Sequence, residues 1–232
     1  MTTAIISPAK GNSLYWLGRY MERLYIDLHL LRKCFDMMID SDPQEYGKYI
    51  LKIGNMVDYP DASSLRKGLV NDLSNPASIA SCIERANDNA LIVRDEITSP
   101  TLGYVEMPLE AVRKATREDA EPSVELLQRL TDWMLAFWGS IEERVYDDRV
   151  KTLLRIGKLV EHIDMNIRFG YKFYRIREAA ETLARCYRDE PMAFNTMAFK
   201  ELVSMLEEEK YDPDDYSYVC KVLTILGNLV TL

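Results

Sequence analysis

The stretch "NSLYWLGRYMER", Asn12–Arg23, opens a sustained apolar pattern near the start of the chain. From here hydrophobic side chains recur at alternating steps of three and four residues, the period that places them on one face of an α-helix. The members of this stripe are Leu14, Leu17, Met21, Leu24, Leu28, Leu31, Phe35 and Met38. Asn12 or Ser13 is the expected N-cap, and the helix is expected to end near Ile39, before Pro43. A helix of this length favours an all-α fold.

Further helical segments follow, and strand patterns are nearly absent, because no alternating run is bounded by hairpin turns. Predicted helices cover residues 43–56, 64–73, 75–97, a segment starting near 108, 121–145, 149–188, 193–208 and 216–230. Residues 101–104 are predicted as a loop, and the segment 149–188 is predicted to bend near Gly170. Long helices with short connections, and no linker rich in Gly, Ser or Pro, predict an antiparallel helical bundle that forms a single domain over residues 1–232.

Charge and composition exclude several classes of function. The net charge of -8 repels a phosphate backbone at long range, so nucleic acid is not an expected partner. The first residues lack the apolar core of a signal peptide, and no apolar run approaches the roughly 20 residues of a membrane span. A cytoplasmic protein without membrane contact is therefore expected. The cysteines, Cys34, Cys82, Cys186 and Cys220, form no CxxC pair, which predicts reduced core thiols rather than zinc ligands or disulfides.

The opening motif has a weak internal echo. LGRYMER at residues 17–23 recurs as IGKLVEH at residues 156–162, with a glycine, a basic residue and a glutamate at the same offsets. The apolar stripe does not demand these three residues. A glycine inside a helix costs about 1 kcal/mol relative to alanine, so its use at both Gly18 and Gly157 predicts a close crossing of helix backbones.

The charges of the two motifs are predicted to form a polar cluster. Arg19 and Glu22 are three residues apart, as are Lys158 and Glu161, so each pair can meet on one helix face. Trp16 and its aromatic neighbour Tyr15 lie on that side of the first helix, and such large apolar rings argue against its full exposure to solvent. Charges placed there need partners, because an unpaired buried charge is expensive.

A third polar helix, "IERANDNALIVRDEI" at residues 83–97, offers such partners. The planar guanidinium of Arg94 is expected to bind Glu22 or Glu161 through two hydrogen bonds, with Asn89 nearer the edge of the same side of the helix. The hypothesis is that three helices converge on a cluster of glutamate, arginine and asparagine side chains.

Glu22 and Glu161 are the candidate catalytic residues, as paired carboxylates that their surroundings could tune for proton transfer. The alternative for both is a buried salt-bridge network that stabilises the bundle. The candidate substrate-binding residues are Arg19, Arg23, Asn89, Arg94, Lys158 and His162. For His162 a capping or pairing role stays open, and His29 is expected to be a packed or surface histidine.

No metal or cofactor is predicted. A di-metal carboxylate bundle needs Glu-x-x-His on two helices, and neither His29 nor His162 has a glutamate three residues before it. Glycine-rich nucleotide-binding motifs and the GxSxG motif of serine hydrolases do not occur in the chain.

The same segments resemble the alpha-E domain family, an all-helical family of bacterial proteins. The matching stretches are residues 12–23, 75–97 and 153–165. The matching residues are Trp16, Gly18, Arg19, Glu22, Arg23, Asn75, Pro76, Ser78, Ile79, Asn89, Ala90, Arg94, Gly157, Glu161, Asp164 and Met165. Arginines typical of the family are replaced by Lys158, His162 and Leu91, and the usual SSEMWE-like stretch is replaced by residues 98–104. If the family's cluster is catalytic, these departures would alter or abolish its activity in this chain.

The resemblance implies a setting for the protein. Members of the family are usually encoded near ATP-grasp-type ligases and transglutaminase-like proteins. This implies a binding or scaffolding role in a peptide-modifying pathway, with one of those proteins as partner. The alternative is an enzyme of amide or peptide chemistry that uses Glu22 and Glu161, with Arg19 and Arg94 stabilising anionic groups. The residues specify neither a substrate nor an oligomeric state, and a homo-oligomer stays open.

Overall fold

The computed structural model describes residues 6–40 and 59–232, excepting the side chains of 36–40. Within these residues the chain forms ten α-helices, one short 3-10 turn and no strand, which confirms the all-α fold class. The helix predicted at residues 43–56 lies outside the described residues. Met38, the last residue of the first apolar stripe, lies within the helical residues 36–40, whose side chains are not described.

From α2 onward the helices follow one another with short connections. Their bounds are α1 Pro8–Asp40, α2 Ala62–Val70, α3 Ile79–Ile92, α4 Arg94–Ile97, α5 Ser99–Arg117, α6 Val124–Arg144, α7 Asp148–Arg168, α8 Tyr174–Asp189, α9 Thr196–Met205 and α10 Tyr216–Gly227. A 3-10 turn at Pro191–Ala193 joins α8 to α9. The predicted helices at 64–73, 121–145, 193–208 and 216–230 are confirmed. The first of them begins and ends a few residues earlier than predicted, and the other three are shorter than predicted.

The chain divides into two compact units. Unit 1 comprises Met1–Arg19 and Asp147–Leu232, and unit 2 comprises Tyr20–Tyr146, so the division falls within α1. In unit 1, α7 packs against α8 and α10, and α9 packs against α10. In unit 2, α5 packs against α3 and α6, and α2 packs against α3. The single domain expected over residues 1–232 stays a prediction.

Helix α1 begins at Pro8, earlier than expected. The Oγ of Ser7 accepts a hydrogen bond from the backbone N–H of Lys10 (3.3 Å), and Pro8 occupies the first helical position. Proline suits this position because its φ is already helical and its missing N–H would have no partner there. The predicted cap at Asn12 or Ser13 is therefore wrong.

The predicted loop at residues 101–104 is also wrong, because these residues lie inside α5. The helix begins after Thr98, whose φ of 67° separates it from α4, and Pro100 lies in its first turn. Pro108 lies inside the helix, where proline removes a backbone hydrogen bond. The buried face of α5 consists of Thr101, Val105, Pro108, Leu109, Val112 and Ala115. Burial of this continuous apolar face outweighs the local breaking signals.

The segment predicted as one bent helix at 149–188 is two helices, α7 and α8. Gly170 adopts a left-handed φ of 69° after α7 ends at Arg168. The N–H of Gly170 donates to Ile167 O and the N–H of Tyr171 donates to Asn166 O, both at 3.0 Å. These two bonds form a Schellman motif, which terminates a helix and redirects the chain.

The four cysteines are free thiols, and three of them, Cys34, Cys82 and Cys186, are buried. Burial raises the pKa of Cys34 to about 11, and burial likewise raises the pKa of Cys186. Cys220 is only half-buried. The sequence-based prediction of core thiols is confirmed for the three buried residues.

We expect Cys220 to be alkylated first when the native protein is treated with iodoacetamide at mildly alkaline pH. The thiolate is the reactive form, and the raised pKa of Cys34 keeps that buried group protonated until the protein unfolds. Mass spectrometry of digested protein at successive times measures the order. Cys220→Ser should remove the fast phase, and a fast phase that persists in this variant would contradict the assignment.

Candidate functional site

Helices α1 and α7 cross with their backbones in contact at two glycines of unit 1. A Cβ atom added to Gly18 would lie 2.1 Å from the carbonyl oxygen of Leu154. A Cβ atom added to Gly157 would lie 2.0 Å from the carbonyl oxygen of Tyr15. No side chain fits at either position, because the obstructing atoms belong to backbones and cannot rotate away. The close crossing predicted from the repeated glycine is confirmed.

The two contacts are reciprocal. Gly18 meets the residue three positions before Gly157, and Gly157 meets the residue three positions before Gly18. The echo between the two motifs therefore has a structural meaning: each motif supplies the glycine that admits the other helix. The two helices are therefore related at the crossing by an approximate local two-fold axis. The repeated motif in the sequence suggests a relation between the helices but does not show that they pack against each other.

Arg19 follows Gly18 directly, so its guanidinium lies beside this crossing. Its Nε donates to Glu161 Oε2 at 2.6 Å, and its Nη2 donates to Asp164 Oδ2 at 3.3 Å. The side chains of Arg19, Glu161 and Asp164 are 12%, 2% and 6% exposed. Glu161 and Asp164 are three residues apart on α7, the spacing that aims both carboxylates at one cation.

Two aromatic rings cover the guanidinium from α1. The Cζ of Arg19 lies 5.0 Å from the ring centroid of Trp16 and 5.9 Å from that of Tyr15, within the range of cation–π attraction. Burial raises the pKa of Tyr15, although Arg19 acts in the opposite direction. Burial alone would lower the pKa of Arg19, but Glu161, Tyr15 and Asp164 together raise it. The site therefore holds a neutral phenol and a permanently charged guanidinium.

A second arginine completes the group. Arg168 Nε donates to Asp164 Oδ1 from one turn further along α7, so Asp164 bridges two guanidinium groups. We refer to Arg19, Glu161, Asp164 and Arg168 as the Arg19 cluster. The side chain of Arg168 is 38% exposed, so only Arg19 and the two carboxylates are largely buried, and pairing with the guanidinium groups offsets the cost of burying Glu161 and Asp164. Asp164 and Arg168 were not among the predicted site residues, although their spacing from Glu161 was a usable signal.

The structure brings together Arg19 and Glu161 from the predicted set. Both acceptors of Arg19 lie on α7, so an interhelical pair replaces the pairing expected within its own helix. In unit 2, Glu22 is 4% exposed, and Arg23 beside it is half-buried. Neither Glu22 nor Glu161 is in open water, as the cluster hypothesis requires.

The third polar helix does not supply the expected partner. Arg94 is 67% exposed, and its ion pair is with Asp95, with 3.9 Å between Nε and Oδ1. The predicted binding of Arg94 to a buried glutamate is wrong, because the helix is interrupted at Val93 and the face extrapolated from α3 does not continue into α4. Asn89 Nδ2 donates to Arg85 O at 2.8 Å within α3.

The remaining predicted residues lie at the surface or near it. Lys158 and His162 are half-buried on α7, and His162 Nε2 is 3.3 Å from the carbonyl oxygen of Arg175. His29 is exposed, with its ring centroid 4.6 Å from that of Tyr25. In the part of the chain that the structure describes, no group of three His, Cys, Asp or Glu side chains is placed to hold a metal ion. No described helix combines the length and the apolar character needed to cross a membrane.

The comparisons with known proteins agree with this all-helical picture. The model of one family, Alpha-E, described as a predicted alpha-helical domain with a conserved ER motif, matches residues 10–206. The chain belongs to the Alpha-E family. No curated protein and no solved structure matches the chain. The residues matched to Alpha-E include both crossing glycines and the whole Arg19 cluster.

An ER motif could lie at several places in this Alpha-E chain. The Glu-Arg dipeptides are Glu22-Arg23, Glu84-Arg85 and Glu143-Arg144. The side chain of Glu84 is 41% exposed and pairs with Arg113 at 3.1 Å, and Glu143 is exposed. Glu22 is the buried glutamate of the three. Burial therefore singles out Glu22-Arg23 as the dipeptide whose replacement the fold would tolerate least.

Proposed function

We propose that this Alpha-E protein is a binding or scaffolding protein of a peptide-modifying pathway, and that its Arg19 cluster stabilises a helix crossing. The observation that supports this is the mutual satisfaction of Arg19, Glu161 and Asp164 in a nearly dry site. A general acid or base must come within hydrogen-bonding reach of a substrate proton. The Glu161 oxygen that binds Arg19 is already occupied, and the side chain is almost fully buried.

The cluster has a structural task that explains its composition. The glycines let α1 and α7 approach closely, but glycines alone do not determine the register of the contact. A guanidinium that must reach two carboxylates at once accepts only one register, since a shift would leave buried charges without partners. Such a crossing presents the outer surfaces of unit 1 in a defined arrangement, which suits a protein that binds partners.

The proposed partner is an ATP-grasp-type ligase or a transglutaminase-like protein. The proposal rests on the resemblance of residues 12–23, 75–97 and 153–165 to a family encoded near such proteins. The net charge of -8 supports a protein partner over nucleic acid.

The proposal is tested with the tagged chain purified from its native host. We expect an ATP-grasp-type ligase to co-purify, and we expect ATP-dependent peptide ligation by that ligase to be faster with this chain present. The chain alone should consume no ATP and form no amide bond. Ligation at the same rate with and without the chain would overturn the proposal.

The second candidate is an enzyme of amide or peptide chemistry that uses Glu22 and Glu161. The observation that favours it is the burial of both glutamates inside the two related motifs. For an enzyme, Glu22→Gln should abolish activity while the circular dichroism spectrum and unfolding transition stay unchanged. If the protein is a scaffold, Glu22→Gln should reduce stimulation of the ligase only in proportion to the loss of folded protein. Glu143→Gln, which changes an exposed glutamate in another Glu-Arg dipeptide, is the matched control and should change neither property.

A further inference from the structure

The turn between α7 and α8 carries a concentration of positive charge. Residues 168–177, RFGYKFYRIR, contain four basic side chains and no acidic one, in a chain with 37 acidic and 29 basic residues. We call residues 168–177 the basic turn. Its charge has the opposite sign to that of the whole protein, so it is a local feature that average composition does not explain.

Two of the four cations have no carboxylate partner among the residues that the structure describes. Arg168 pairs with Asp164, and Arg177 Nη2 pairs with Glu208 Oε2. Lys172 and Arg175 are exposed, and within the described residues neither forms an ion pair. Their charges are available to a binding partner.

Aromatic side chains lie against one of these cations. The Cζ of Arg175 is 4.9 Å from the ring centroid of Tyr171 and 6.0 Å from that of Tyr174. Tyr174 is 65% exposed. Arginine and tyrosine are among the residue types enriched at the energetically dominant positions of protein interfaces, where tyrosine combines an apolar ring with a hydroxyl and arginine supplies several hydrogen-bond donors.

Contacts with Tyr211 and a helix-terminating motif fix the position of the basic turn. The hydroxyl of Tyr211 donates to the carbonyl oxygen of Tyr171 at 2.7 Å, and the Phe173 and Tyr211 ring centroids lie 5.6 Å apart. The Schellman motif at Gly170 fixes the backbone where the turn begins. A surface ordered in this way loses little conformational entropy when it binds a ligand.

The start of α8 adds to the positive field. No side chain caps this end of the helix, and its first turn holds no acidic residue. The N-terminus of a helix carries a partial positive charge, which normally attracts acidic side chains. Here it adds to the charges of Lys172 and Arg175, so an anionic group brought from outside would be favoured.

We propose that the basic turn binds an acidic peptide segment of a partner protein. Carboxylates can pair with the guanidinium of Arg175 through two hydrogen bonds and with Lys172 as a point charge. A short acidic segment covers only the turn, whereas a long nucleic acid would also meet the repulsion of the chain's net charge of -8. The basic turn shares Arg168 with the Arg19 cluster, but the proposed contacts are made by Lys172 and Arg175, which take no part in that cluster. The inference does not depend on the ligase proposed above.

The test measures binding of a short fluorescein-labelled polyglutamate peptide to the full chain by fluorescence anisotropy. The wild-type chain should bind the peptide, and added salt should weaken the complex because it screens exposed charges. Lys172→Ala/Arg175→Ala should bind about tenfold more weakly, the combined loss of two exposed charge contacts. Tyr174→Ala should also weaken binding, since the exposed ring would lose its contact with the peptide backbone.

Arg185→Ala/Arg188→Ala is the matched control, because it removes the same charge from the opposite end of α8 and should leave affinity unchanged. Equal weakening by both double variants would overturn the proposal, as would tighter binding of a single-stranded RNA of similar length. Absence of peptide binding, with self-association that Lys172→Ala/Arg175→Ala abolishes, would overturn it in favour of a second copy of the chain. The assay uses no ligase, so its failure is distinct from failure of the proposed pathway role.

Discussion

Alanine at Gly18 is expected to lower the free energy of unfolding by about 3 kcal/mol, the upper part of the range for overpacking a tight contact. The added Cβ would lie 2.1 Å from Leu154 O, so α1 and α7 would have to separate. Separation would also stretch the adjacent bonds of Arg19 to Glu161 and Asp164. Urea unfolding monitored by circular dichroism measures the loss, and Gly157→Ala should show a similar one.

Gly139→Ala is the matched control for this prediction. Gly139 lies inside α6, and an added Cβ there would meet no atom within 4 Å. Alanine at this position should therefore raise stability by about 0.5–1 kcal/mol, the usual gain from replacing a helical glycine. If Gly18→Ala and Gly139→Ala changed stability in the same direction, the backbone contact at the crossing would not account for the effect of a side chain at Gly18.

Replacement of Arg19 by methionine is expected to cost about 3–5 kcal/mol, the range for removing one partner of a buried ion pair. The substitution keeps much of the side-chain volume but leaves the carboxylates of Glu161 and Asp164 without their interhelical cation. In a double-mutant cycle, Arg19→Met and Glu161→Gln should be strongly non-additive, with a coupling of about 1 kcal/mol or more.

Arg113→Met is the control for Arg19→Met, because it removes one partner of an ion pair that is more exposed to solvent. Arg113 pairs with Glu84 at 3.1 Å, with both side chains about two-fifths exposed. A pair of this kind contributes at most about 1 kcal/mol, because water and salt screen it. A cost for Arg19→Met no larger than that for Arg113→Met would show that the Arg19 cluster does not stabilise the crossing.

The sequence predicted helices correctly where an apolar period of 3.6 residues continued over many residues. The predictions failed where proline or glycine interrupted that pattern. The stripe beginning at Leu14 and the segment before Arg144 were both recognised, because burial of one helix face leaves a period of 3.6 residues. The predictions of a loop at residues 101–104 and of a helix start near Pro108 are wrong, because proline and glycine indicate only the local backbone preference. Burial of the surrounding face in unit 2 decides whether the helix continues.

The sequence likewise predicted some features of the candidate site and missed others. Gly18 and Gly157 were recognisable because glycine inside a helix has a cost that needs a reason. The pairing of Arg19 with Glu161 was not predicted, and Arg94 was assigned a partner that it does not have. A spacing of three residues identifies neighbours on one helix, but it carries no information about a second helix.

The sequence by itself determined the all-α class, the family and the two motifs, since each follows from residue type and from spacing along a single helix. Only the tertiary structure decided that the motifs pack against each other and that Arg19 reaches across to Glu161 and Asp164. The physical reason is that a buried charge takes the partner that the helix crossing brings within hydrogen-bonding distance. The crossing depends on which two backbone segments come into contact. Backbone atoms do not differ between residue types, so the sequence does not specify which segments meet.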